Sequence, residues 1–358
     1  MLAAKNTKLQ HTAIFMHIFN NYSLQQLNSF GIPTFTSYYI PLNTLTEIEH
    51  ICNILDLSKT HFYILGGGTN TLFTGDFPGY VIQVKLTGIE VVNETPHSVL
   101  VKAAAGINWH ELVLFCVNKG YGGIENLSLI PGSVGAAPLQ NIGAYGVELK
   151  DTIHTIEAIE LSTGKTRIFS LSECEFGYRT SAFKTKFHNQ YLITNIVLKL
   201  HKEARFVLTY GGILETLETM GVHKPSFKSI SDAIMMIRKR KLPHPMHLGN
   251  AGSFFKNPLI PITQYQLLQK KYPGLISFTA DNEHFIKISA AWLIEAAGFK
   301  GFRKGNVGVY ESHALILVNY GGATGKEVLN LANLIKQKVA NQFDITLTPE
   351  VNIMGEYI

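Results

Sequence analysis

Apolar and polar positions follow two periods along this chain, and the period switches several times. In NTLTEIEHICNILDL (43–57), Ile48, Ile51, Ile54 and Leu55 fall on one helical face, and Thr44 and Glu47 have capping-box spacing. HFYIL (61–65) reads as a short strand that runs straight into GGGTN. GYVIQVKL (79–86) and SVLVKAAAG (98–106) read as further strands. NWHELVLFCVNKG (108–120) has helical spacing and stops at Gly120. The stretch 154–171 reads as a hairpin turning at Thr163, Gly164 and Lys165, and YLITNIVLKL (191–200) as another strand.

The texture changes between 210 and 230, where a strand-rich middle gives way to helices. SISDAIMMIRKRK (229–241) reads as a helix stopped by Pro243. SAAWLIEAAGFKG (289–301) and 324–343 read as helices on either side of a strand, HALILVN (313–319). The last helix has Thr324 and Glu327 in capping-box spacing, and ITLTPEVNIM (345–354) reads as a closing strand. Strands and helices are mixed throughout, which bounds the class to α+β or α/β.

Composition adds limits. The 358 residues are 46% apolar and 16% charged, which fits a folded protein with a large core. A net charge of +5 suits anionic small molecules and is too diffuse for nucleic acid. Cys52, Cys116 and Cys174 are odd in number and widely spaced, so buried reduced thiols are expected rather than a disulfide framework or zinc site. No apolar run reaches membrane-span length. The first residues read as a short extension rather than a signal peptide, since His17 interrupts the apolar patch. No histidines have H-x-x-x-H or H-E-x-x-H spacing, so no metal site is expected.

Two glycine-rich stretches carry candidate chemistry. LGGGTNTLF (65–73) follows a strand, and its glycines either let backbone N–H groups converge on an anion or make a plain turn. It is neither G-x-G-x-x-G nor a Walker A loop. LIPGSVGAAPLQNIGAYGVEL (129–149) is small and apolar where a surface loop would be polar, which fits either a flat apolar ligand or a tight structural turn. Together they point to a two-ended ligand such as a dinucleotide. Arg179 in FGYRTSAFK is either a structural arginine or a preorganised cation for a carboxylate or enolate. RKRK (238–241) is either a solvated helix end or a grip on a diphosphate. Tyr210 precedes two glycines, and Glu350 follows Pro349. Ser253, in GNAGSFFKNP, has neither a hydrolase elbow nor a visible base, and spacing alone makes it a turn serine.

In order along the chain, LNSFGIP (27–33), LGGGTNTLF, IPGSVGAAPLQNIGAYGVEL, FGYRTSAF, LTYGG, KLPHP, GNAGSFFKNP, AAWLIEAAGFKG and PEV resemble the UDP-N-acetylenolpyruvoylglucosamine reductases. LTYGG is similar to the tyrosine loop of the family's first structural type. The resemblance implies an α+β fold. A two-subdomain FAD-binding half of the vanillyl-alcohol-oxidase kind would span 1–90 and 91–228. A substrate domain would span 229–344, and a final strand, 345–358, would return to the first subdomain.

It also implies non-covalent FAD, NADPH as co-substrate, and UDP-N-acetylglucosamine enolpyruvate as substrate. A hydride would reach C3 and a proton C2 of the enolpyruvyl group. Arg179, Ser253 and Glu350 match the catalytic positions, with Ser253 the proton donor and Glu350 expected to be protonated or paired with a cation. Gly66, Gly67, Gly68, Thr69, Asn70, Leu72, Pro131, Gly132, Val134, Gly135, Ala136, Ala137, Asn141, Ile142, Gly143 and Ala144 match the cofactor segments. Tyr145, Tyr210, Arg238, Lys241 and Asn257 match substrate-binding positions, Arg238 least firmly. Phe254 and Phe255 either exclude water or are plain core. Ala136 and Ala137 replace small serines, and Gly67 an acidic residue of some relatives. A cytoplasmic monomer working in peptidoglycan precursor synthesis, without nucleic-acid or membrane partners, is implied. A sugar or alcohol oxidase of the same flavin fold, or a flavin- or nucleotide-binding protein without turnover, are the rival readings.

Overall fold

The computed structural model describes residues 16–355, so most of the N-terminal extension lies outside the described residues. One sheet begins at Phe19–Ser23, antiparallel to Phe35–Leu42. That strand is parallel to Phe77–Val84, which is parallel in turn to Phe62–Leu65. The first two of these strands fall outside the sequence reading. Phe35–Leu42 shows no clean alternation, with neighbours such as Ile40, Pro41 and Leu42 all covered to some degree. The helix Leu45–Ile54 carries the expected box, with Thr44 and Glu47 capping each other, and buries Ile48 and Ile51.

A second, fully antiparallel sheet runs in the order Thr166–Ser170, Ile153–Glu160, Tyr191–His201, Ser98–Ala104, Ile89–Glu94. Its hairpin turns where expected, and Gly164 there has a φ of 69°. The helix Trp109–Asn118 is capped by Asn108, whose side chain accepts from the N–H groups of His110 and Glu111. The two sheets and these helices share one large apolar core that includes Ile40, Ile82, Val101, Trp109 and Ile196.

A second core holds the C-terminal elements. Helix Gly325–Phe343 buries Val328, Leu331, Ile335 and Val339 against helix Ala290–Ala296 and the sheet Gly249–Ser253, Ile316–Asn319, Val307–Val309, Arg303–Lys304. Phe30, Ile32 and Leu72 from the N-terminal part enter this same core. A small sheet of Leu259–Pro261, Phe285–Ile288 and Ser277–Thr279, with helix Ile262–Lys271, lies beside it and escaped the sequence reading.

The closing strand is shorter than expected. Only Asn352–Met354 is strand, and it pairs in parallel with Thr71–Phe73. Of residues 345–351, only Pro349 makes a bridge, an isolated antiparallel one to Phe255. Helix Phe227–Lys241 starts two residues before the expected 229, at the Ser226 cap, and it packs on helix Ile213–Thr219. Among the described residues, no helix is long and apolar enough to cross a membrane, and no cluster of three or more metal-ligating side chains exists. The cysteines are free thiols; Cys116 and Cys174 are buried, and Cys52 is only half-buried.

Candidate active site

The two glycine segments meet backbone to backbone. A Cβ on Gly67 would sit 2.9 Å from Gly132 Cα, and one on Gly66 would press into the Ser133 side chain. Gly68 has a φ of 64°, and a Cβ there would strike the Leu27 carbonyl oxygen. Part of the glycine signal is thus protein packing rather than ligand approach. The second segment forms a 3₁₀ helix over Val134–Gln140, long for its kind, and ends at Asn141 in the left-handed region. Val134 N–H and Gly135 N–H donate to the carbonyls of Ile107 and Ala105, both at 2.8 Å, fixing it to the antiparallel sheet.

These contacts give a strong test. Gly68→Ala places an L side chain at positive φ and against a carbonyl, so it is expected to destabilise the fold by about 2 kcal/mol or more. Thermal unfolding should show a lower Tm and absorbance a reduced flavin content. A variant with unchanged Tm and full flavin would contradict the packing role.

A third segment ties the glycines to the serine strand. Ser29 N–H donates to the Gly68 carbonyl, and the Ser29 carbonyl accepts from Asn250 N–H, both at 3.0 Å. Ser29 Oγ is itself buried without a partner among the described residues. The motif LNSFGIP was noted in the sequence without a role, and this bridge supplies one.

The C-terminal segment closes the site. Glu350 N–H donates to the Phe254 carbonyl at 2.8 Å, one residue beyond Ser253. The Glu350 carbonyl accepts from Asn70 Nδ2 at 3.2 Å, and the same amide donates to Gln140 Oε1 at 2.8 Å. Asn70 therefore links the first glycine segment, the second and the C-terminus. Ser253 is half-buried and ends the strand Gly249–Ser253, just after Gly252 at φ 69°. Phe254 and Phe255 are fully buried and pack edge to face at 5.1 Å, so they are core beneath the serine.

Arg179 and Glu350 form a half-buried ion pair, Nε to Oε1 3.1 Å. The Nε–H does not point along a hydrogen bond, since that nitrogen has no aligned acceptor among the described residues. The contact is a charge contact, while Arg179 Nη2 donates squarely to the Gly143 carbonyl at 2.8 Å. The cation expected beside Glu350 is thus present. Arg179, Asn141 and Tyr145 all have positive φ, at 54°, 44° and 50°, so strained backbone gathers around this point.

More positive charge surrounds the pair. Lys256 Nζ donates to the Arg179 carbonyl at 3.3 Å, and Lys287 Nζ stands 4.0 Å over the Tyr178 ring. Lys184 is held below the ordinary lysine range, first by burial and then by the nearby Lys256 charge. Burial likewise lowers Lys287. Glu350 and Glu148, which accepts from Asn141 Nδ2 at 2.8 Å and pairs with Lys150, face a larger group of cations, an arrangement that suits an anionic ligand group. Lys184, Lys256, Lys287 and Gln140 were missed from sequence; isolated lysines carry no spacing signal, and Gln140 was skipped between neighbours that were chosen.

The remaining candidates divide. Tyr145 and Tyr210 come together: the Tyr210 ring fills the space over Gly146, and the Tyr145 ring that over Gly211. Arg238 lies beside Tyr145, and its Nε is buried and without a partner among the described residues. Of RKRK, therefore, Arg238 points into the protein while Lys239, Arg240 and Lys241 end the helix exposed. Asn257 Oδ1 accepts from Ala290 N–H at 2.9 Å and is partly occupied in holding that helix start.

Residues 244–354 match the family model "UDP-N-acetylenolpyruvoylglucosamine reductase, C-terminal domain", and residues 36–170 match an FAD binding domain. A UDP-N-acetylenolpyruvoylglucosamine reductase of Amoebophilus asiaticus is 46% identical over 95% of this chain and 100% of its own length. One from Flavobacterium johnsoniae is 42% identical over 95% and 100%. The crystal structure of a UDP-N-acetylenolpyruvylglucosamine reductase from Thermus caldophilus superposes with a TM-score of 0.64 at 21% identity, covering 95% of this chain and 99% of that one.

Proposed function

The chain belongs to the UDP-N-acetylenolpyruvoylglucosamine reductase family, an FAD-binding oxidoreductase family, and from that premise we propose that it reduces UDP-N-acetylglucosamine enolpyruvate to UDP-N-acetylmuramate at the expense of NADPH. The observation that carries this reading is the Arg179–Glu350 pair, held one residue from Ser253 and tied through Asn70 to both glycine segments. FAD fits the residues present. Gly132, at φ 112°, has only Thr69 Oγ1 near the position of a Cβ, and the buried Ser29 Oγ lacks a protein partner among the described residues. Gly66 to Asn70, Leu72, Pro131, Gly132, Val134 to Ala137 and Asn141 to Ala144 would hold it. When bound, the flavin supplies hydride transfer from NADPH to C3 of the enolpyruvyl group.

The protein's own residues would do the rest. Arg179 would neutralise the substrate carboxylate as enolate charge develops on it, its guanidinium already oriented by the Gly143 carbonyl. Glu350 would keep that guanidinium in place. Ser253 Oγ would give its proton to C2, and solvent would restore it. A hydroxyl is a weak acid, so this step needs a strongly basic carbon and a dry surround, which the buried Phe254 and Phe255 help to provide. Tyr145, Tyr210, Arg238, Lys241 and Asn257 would bind the sugar nucleotide and its diphosphate. Free thiols in all three cysteines accord with a cytoplasmic setting.

The test is anaerobic. NADPH should bleach the flavin of the purified protein, and the enolpyruvyl sugar nucleotide should restore its colour without oxygen. Reoxidation by oxygen alone would favour an oxidase. No NADPH oxidation would favour a binding protein, and a preparation that takes up no FAD would end the proposal.

A further inference from the structure

We propose that Asn126 is a positioning residue that pins the tyrosine loop over the substrate site; this rests on the substrate-binding role of Tyr210 given above. Asn126 is 1% exposed, and both of its amide N–H groups are used. One donates to the Tyr145 carbonyl and the other to the Val207 carbonyl, each at 2.8 Å. Its Oδ1 is buried without a partner among the described residues, so the side chain serves as a double donor and nothing else.

The two carbonyls belong to segments that need such a link. Tyr145, near the end of the second glycine segment, is in a left-handed conformation, with Gly146 following at φ 81°. Val207 lies three residues before Tyr210, in a stretch without helix or strand. Among the described residues, the bond from Asn126 is the one hydrogen bond to backbone between Ala204 and Thr209. Beyond it, Tyr210 lies over Gly146 and Gly211 lies over the Tyr145 ring, so the two segments interlock only while both are in register.

Asn126 itself is firmly seated. Glu125 Oε2 accepts from Gly123 N–H at 2.6 Å, Trp109 Nε1 donates to the Leu127 carbonyl at 3.0 Å, and Ser128 Oγ contacts Ser231 Oγ at 2.8 Å. A rigid anchor with two donors therefore sets where a half-exposed tyrosine stands. Tyr210 would be presented to the substrate without having to be ordered on binding.

The test uses Asn126→Leu, similar in volume and without donors, in the FAD-loaded full chain. Trypsin should cut after Arg205, whose side chain is exposed, at least tenfold faster than in wild type, as read by mass spectrometry. The apparent KM for the enolpyruvyl sugar nucleotide should rise about 25-fold with flavin content retained, each of the two lost hydrogen bonds being worth roughly a factor of five. Tyr210→Ala should cost much less in the Asn126→Leu background than in wild type, since the loop is already displaced. Unchanged cleavage after Arg205, or costs that simply add, would overturn the proposal. If Asn126→Leu does not fold, Asn126→Ser, which shortens the side chain and lets water in, carries the same measurements. If wild type turns over no sugar nucleotide, the substrate reading fails while the cleavage result still decides whether Asn126 holds the loop.

Discussion

Ser253→Ala is expected to leave reduction of the flavin by NADPH intact and to slow its reoxidation by the enolpyruvyl sugar nucleotide by about 10³-fold. Positioned proton transfer contributes roughly 10²–10⁴-fold, and the middle of that range is expected here. The change removes one oxygen from a half-buried residue whose neighbours Phe254 and Phe255 keep their packing, so flavin content and Tm should stay near wild type. Stopped-flow traces of the two half-reactions separate these outcomes. Ser253→Cys should recover part of the rate, because a thiol can also donate. Equal slowing of both half-reactions would mean a damaged flavin site. No slowing of either would remove Ser253 from the mechanism.

The local elements of this protein were readable because their signals are local. The boxes at Thr44/Glu47 and Thr324/Glu327 formed as spaced, and so did the turn at Gly164. Arg179 could be suspected from its residue type, but Ser253 and Glu350 gained a role only through resemblance, since no pattern near Ser253 names a partner. The partner lies 97 residues on, where Glu350 N–H meets the Phe254 carbonyl, and the brace is Asn70, 280 residues away. Pairing over such distances leaves no period in the sequence. Strand Phe35–Leu42 was missed for a different reason, its mixed burial on both faces. Asn126 was invisible because a buried asparagine inside ENL looks like any turn residue until both carbonyls it serves are placed.

Arg179→Met is expected to separate catalysis from stability. Removing the cation should lower the rate of substrate reduction by about 10²–10³-fold, the range for losing one preorganised donor to developing oxyanion charge. It should also destabilise the fold by up to about 3 kcal/mol, because Glu350, with a side chain only 13% exposed, would be left facing no guanidinium. Lys184 and Lys256 lie close enough to offset part of that cost, which is why the full penalty of a buried unpaired charge is not expected. The pair Arg179→Met with Glu350→Gln should then regain most of the Tm while remaining as slow as Arg179→Met alone. Arg179→Lys keeps the charge but loses the fork that reaches both Glu350 and the Gly143 carbonyl, so it should fall between wild type and Arg179→Met. Denaturation midpoints and single-turnover rates on these variants give both quantities. A double variant that recovered activity along with stability would show that Arg179 only shields Glu350 and does not act on the substrate.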